Sequence, residues 1–62
     1  MTLHVLVVDD EALARSRMRT LLGDCRNPSA SVGGEAANAT EAVELLRRQD
    51  FDVALLVRFH SH

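Results

Sequence analysis

The stretch that decides the fold is Leu3–Glu11, LHVLVVDDE, in which an apolar run ends abruptly in three consecutive acids. A short run of leucine and valine bounded by polar residues predicts a strand buried on both faces, from about Leu3 to Val8. A helical pattern starts directly after the acids. Acids at the carboxyl end of such a strand lie where open α/β sheets bind their ligands.

The three acids Asp9, Asp10 and Glu11 allow two interpretations. Carboxylates this close repel one another in a partly dry crevice, and a hard, oxygen-preferring cation such as Mg²⁺ offsets that repulsion. Alternatively, one acid caps the following helix and the others favour its positive N-terminus. Taken alone, these residues leave both interpretations open.

The first helix is predicted from about Glu11 to Leu22, with Gly23 as its C-terminal stop. Its apolar face is formed by residues at helical spacing, namely Ala14, Met18, Leu21 and Leu22. The residues expected on the solvated side are Arg15, Ser16 and Arg19. A loop with a turn at Asn27-Pro28-Ser29 follows, and then a short glycine-containing strand from about Ser31 to Ala36.

The second helix has a clearer start, because Asn38 and Glu41 resemble a capping box. Its predicted apolar stripe consists of Ala39, Ala42, Val43 and Leu46. Arg47 and Arg48 fall in its last turn, where cations favour the negative end of the helix dipole. Asp50-Phe51-Asp52 is the predicted connection to a third strand, Val53–Val57.

Strands that alternate with helices predict an α/β fold with a parallel sheet and right-handed crossovers. By analogy with flavodoxin-like folds, the three strands are expected in the order 2-1-3, with one helix on each face. The 62 residues form one domain. A core this small is marginal, since a 60-residue domain buries only about 60% of its unfolded surface.

Composition limits the class of partner. Seven basic residues, all arginine, and nine acidic residues give a net charge of −2, which argues against direct nucleic-acid binding. No apolar run approaches the roughly 20 residues of a membrane span. The single cysteine, Cys25, has no partner in the chain and fits a reducing cytoplasm.

Three segments together are similar to response-regulator receiver domains of two-component systems: VLVVDDE at 5–11, GEAANATEA at 34–42 and FDVALL at 51–56. The stretch DEALAR at 10–15 further resembles receivers attached to LytTR-type DNA-binding output domains. The resemblance implies a flavodoxin-like fold and assigns Asp9 and Asp10 to the family's Mg²⁺ site. It covers only about the first half of a receiver.

The same resemblance places the phosphoacceptor aspartate directly after the third strand, where this chain has Val57. Valine has no nucleophilic oxygen, so no aspartyl phosphate can form there. The following residues, RFHSH at 58–62, do not match the family. Asp52 is expected at the opposite end of the sheet and is a poor substitute. The abrupt departure indicates a shortened or frame-shifted gene product or a deliberately truncated chain, and the sequence leaves these alternatives open.

The expected function is therefore a truncated receiver of a cytoplasmic response regulator that cannot accept phosphate, is not an enzyme and has at most a weak Mg²⁺ site. Full-length regulators or a histidine kinase are its implied partners. A different expectation is a self-associating module. A third, an enzyme of metal-assisted phosphoryl chemistry, is disfavoured because the chain shows no base or electrophile beside the acids.

Self-association is expected through an uncovered third strand, since an apolar strand edge is a template for pairing. The residues expected in that interface alternate along the strand and its continuation: Val53, Leu55, Val57 and Phe59. Exchange of the third strand or the second helix between chains is the nearest alternative. His60 and His62 could bind a transition metal between chains, but a solvated tail is the preferred interpretation.

Overall fold

The computed structural model describes residues 1–26 and 29–58. Its elements follow one another as β1 (Thr2–Asp9), α1 (Ala12–Gly23), β2 (Ser29–Ala36), α2 (Ala39–Arg48) and β3 (Val53–Arg58). All pairing between these strands is parallel, in the order β2-β1-β3. The predicted α/β class and strand order are thus confirmed. The arrangement matches the first three strands of a flavodoxin-like sheet.

The strand β1 is central because its apolar residues can be buried on both faces. Its residues from Val5 to Asp9 are almost inaccessible to solvent. Leu6 and Val8 face α2 and form the core with Ala36 and Ala42. Such a continuous apolar strand needs a neighbour on each side and a layer on each face, which explains its position in the middle of the sheet.

Phe51, predicted to lie in a connection, packs against this core. Its ring lies over the two glycines of β2, where a Cβ at Gly34 would stand 3.0 Å from Cζ of the ring. An irregularity in the β1–β2 register, between Val5 and Leu6, makes Gly33 the extra residue of β2. The two glycines therefore provide the space in which an aromatic side chain covers the sheet.

The helix α2 begins as predicted. Asn38 is its N-cap and accepts a hydrogen bond from Glu41 N at 2.9 Å, while Glu41 Oε1 accepts one from Ala37 N at 2.8 Å. The side chain of Glu41 thus reaches back one residue further than in the usual capping box. The bond to Asn38 satisfies a backbone donor that the first turn of α2 leaves unpaired, and the bond to Glu41 binds the backbone N–H of the residue before the N-cap.

The predicted apolar faces of the helices are only partly covered. Leu21 of α1 and Val43 and Leu46 of α2 are exposed, whereas Leu45, outside the predicted stripe, packs on the core. The physical reason is the narrow sheet, because both helices pack chiefly on β2 and β1. Within the described residues, neither helix has the length and apolar content to span a membrane.

Candidate metal centre

The acids lie together at the carboxyl edge of the sheet. Asp9 ends β1, and Asp10 and Glu11 form the connection to α1. Each residue offers one carboxylate oxygen such that all three oxygens lie within 4.8 Å of one another. Topology therefore places the cluster where open parallel sheets bind ligands, as the sequence predicted.

Asp9 is the unusual member of the cluster because it is buried, with 1% of its surface exposed. Its Oδ1 accepts a hydrogen bond from Glu11 N at 2.8 Å. Its Oδ2 is buried without a hydrogen-bond partner among the described residues. A buried carboxylate oxygen that lacks a partner is costly, and a bound cation removes that cost.

This donor set fits a hard cation. Oxygen ligands from carboxylates, with room for water on the exposed side, are what Mg²⁺ takes in proteins. Asp10 and Glu11 are exposed, so they can supply that open side. Asp9 and Asp10 thus lie together, as the sequence predicted. The unpartnered Oδ2 of Asp9 is the atom of the cluster for which a bound cation would matter most.

The alternative interpretation, an acid that caps α1, does not describe the observed contacts. The N-cap residue is Glu11, and its side chain makes no capping hydrogen bond. The bond from Asp9 goes to the backbone of Glu11 itself, rather than to the second or third residue of the helix as a cap requires. The first turn of α1 contains no acidic residue.

Arg15 joins the acid edge to the rest of the fold, although it was predicted to be solvated. Its Nη1 donates to the backbone oxygen of Asp9 at 2.6 Å, and its Nε lies 3.4 Å from Glu35 Oε1. Arg19 also pairs with Glu35. The contacts tie α1 to the ends of β1 and β2. The spacing of one helical turn from Glu11 to Arg15 could have indicated that Arg15 faces the acid edge.

Position 57 lies at the same edge of the sheet. The β1–β3 register pairs Val8 with Leu56 and Asp9 with Arg58, so the backbone of residue 57 falls at the irregularity between them. The residue that the family resemblance assigns to phosphoacceptance is therefore beside the end of β1 and is valine in this chain. The side chain of Val57 lies outside the described part of the structure.

The other candidate residues are dispersed. Asp52 lies at the opposite end of the sheet, as predicted, where its Oδ2 accepts a bond from His4 N and its own N donates to His4 O, both at 2.8 Å. His4 takes part in these two bonds through its backbone N and O. Cys25 is exposed as a free thiol. His60 and His62 lie outside the described residues.

The predicted interface residues lie on or after β3. Val53 is 37% exposed, and Leu55 is half-buried. The backbone of Val57 is part of β3, and Phe59 lies outside the described residues. The structure thus shows the strand through which association was predicted, while pairing between chains stays a prediction.

Comparison of the chain with protein-family models, with curated proteins and with solved structures found no match.

Proposed function

We propose that this chain carries the β1–β3 half of a receiver of a two-component response regulator and does not accept a phosphoryl group. The observation that carries the proposal is the β1–β3 register, which brings residue 57 beside the buried Asp9. The strand order and the acid cluster support the same function. The role is one in signalling rather than catalysis, in the cytoplasm, with a histidine kinase or full-length regulators as partners.

In this function Asp9 and Asp10 hold Mg²⁺, and Glu11 adds local negative charge. When bound, the cation supplies positive charge that would neutralise the oxygens of a phosphoryl group. With valine at position 57, the site has one carboxylate fewer than a phosphate-accepting receiver. Because Mg²⁺ gives up its water reluctantly, binding is expected to be weak, with a dissociation constant on the order of millimolar.

The unmodified chain is expected to gain no phosphoryl group from acetyl phosphate in the presence of Mg²⁺, because Val57 offers no nucleophilic oxygen. Intact mass spectrometry before and after incubation measures this directly. Hydroxylamine treatment identifies any acyl phosphate, since hydroxylamine cleaves that bond. An adduct that is labile to hydroxylamine would contradict the proposal.

A gain-of-ligand variant tests the geometry itself. Val57→Asp is expected to tighten Mg²⁺ binding by about tenfold, since it adds a ligand and a charge beside Asp9. Val57→Asn is the matched control, because it has nearly the same shape without the charge. Titration followed by the amide signals of residues 9–11 in NMR spectra measures both. Equal affinity in the two variants would show that position 57 does not belong to the site.

A further inference from the structure

In the described part of the chain, the outer edge of β3 is unpaired. β3 pairs with β1 on one side, and no strand of the described chain pairs with it on the other. Natural sheet edges are protected by charges or prolines, because an unpaired row of backbone groups is a template for another strand. The β3 residues 53–57, VALLV, contain neither. The β2 edge differs, since it carries serines, two glycines and Glu35.

The apolar surface continues to this edge on both faces of the sheet. On the α2 face, Leu56 is 66% exposed and borders an apolar groove with Val43 and Leu46, themselves about half exposed. On the other face, Val53 and Leu55 line a second groove. A strand added at the edge of β3 would therefore extend the apolar surface on both faces of the sheet.

The charges that flank β3 determine which strand fits. Asp52 precedes the apolar run and Arg58 ends it, so the segment reads D-VALLV-R. Antiparallel pairing of two such segments sets each aspartate opposite an arginine, whereas parallel pairing sets like charges side by side. Opposite charges across strands stabilise a sheet, and like charges directly opposite destabilise it. The segment is complementary to an antiparallel copy of itself.

We propose that two copies of this chain pair their β3 strands antiparallel about a two-fold axis at Leu55, joining two three-stranded sheets into one. This interface goes beyond the signalling function proposed above and does not depend on it. The register sets Leu55 opposite Leu55 of the second copy, and Leu56 opposite Ala54 of the second copy. A large side chain thus meets a small one on the α2 face, and a two-fold axis makes every contact occur twice.

Disulfide trapping tests the register. In a Cys25→Ser background, Leu55→Cys is expected to form a covalent dimer on mild oxidation, because directly opposite Cα atoms lie about 4.5–5.5 Å apart, within disulfide range. Ala54→Cys and Leu56→Cys are the matched controls. Each of these cysteines would lie diagonally from the same residue of the second copy, with the two residues about 7–8 Å apart, and is expected to stay reduced. Crosslinking at 54 or 56 without crosslinking at 55 would overturn the register.

Sedimentation equilibrium of the unmodified chain is expected to give twice the monomer mass of 6.8 kDa. Arg58→Asp should weaken the dimer by about tenfold, since it turns two attractive cross-strand pairs into repulsive ones. Arg47→Asp on α2 is the matched control and should leave the affinity unchanged. A folded monomer at micromolar concentration, or equal affinity in Arg58→Asp and Arg47→Asp, would overturn the proposal.

Discussion

Replacing Leu6 with alanine is expected to unfold the 62-residue chain. Leu6 is completely buried at the centre of the core cluster, between the residues of β2 and α2 that cover it. Truncation of a buried leucine to alanine costs about 2–5 kcal/mol, and a core of this size rarely provides more than about 3–5 kcal/mol. The loss is therefore comparable to the whole stability of the domain.

Urea denaturation followed by far-ultraviolet circular dichroism measures this effect, at one protein concentration because association adds to stability. Leu13→Ala is the matched control. Leu13 is 61% exposed on α1, so its truncation should change the free energy of unfolding by less than about 0.5 kcal/mol. A Leu6→Ala chain that unfolds cooperatively with a loss below about 1 kcal/mol would show that the core lies elsewhere.

Replacing Asp9 with asparagine is expected to stabilise the metal-free chain by about 2 kcal/mol, because it removes a buried charge whose Oδ2 has no partner. The amide keeps one oxygen to accept from Glu11 N, and its NH₂ group can donate toward the neighbouring carboxylates. The same substitution should abolish the stabilisation that Mg²⁺ gives the unmodified chain, since it removes the buried ligand.

Both effects can be measured in denaturation experiments with EDTA and with millimolar Mg²⁺. Asp10→Asn is the control for charge alone, because Asp10 is exposed and its replacement should alter metal-free stability by less than about 0.5 kcal/mol. If Asp9→Asn is less stable than the parent chain in EDTA, the unpartnered oxygen is not a source of instability. If Mg²⁺ stabilises both chains equally, the cation binds at another place.

The sequence predicted the fold best at β1, where a single physical requirement decides the position of the strand. The continuous apolar run of β1 can be satisfied only in the middle of a sheet, so its position followed directly. The polar, glycine-rich β2 carries a weak pattern, and it begins at Ser29 rather than Ser31 because pairing with β1 extends it. Likewise β3 reaches Arg58, one residue beyond its predicted end.

The candidate site was predicted in its composition but not in its environment. Three consecutive acids indicated a cluster, yet nothing local distinguishes the buried Asp9 from the exposed Asp10. That difference arises from tertiary packing around the end of β1. The contacts of Arg15 could not be predicted for a similar reason. Helical spacing predicts on which side of α1 Arg15 lies, but it does not show that Glu35 of β2 lies opposite.

The central position of β1 also has a consequence for synthesis on the ribosome. β1 precedes in the chain both strands that it pairs with, so its apolar residues are made before any partner exists. The ribosome must continue through Arg58 before both edges of β1 are paired, which takes roughly several seconds at about 5–20 residues per second. During that interval the most apolar segment of the nascent chain has unpaired edges, so native pairing must outpace association with other exposed strands.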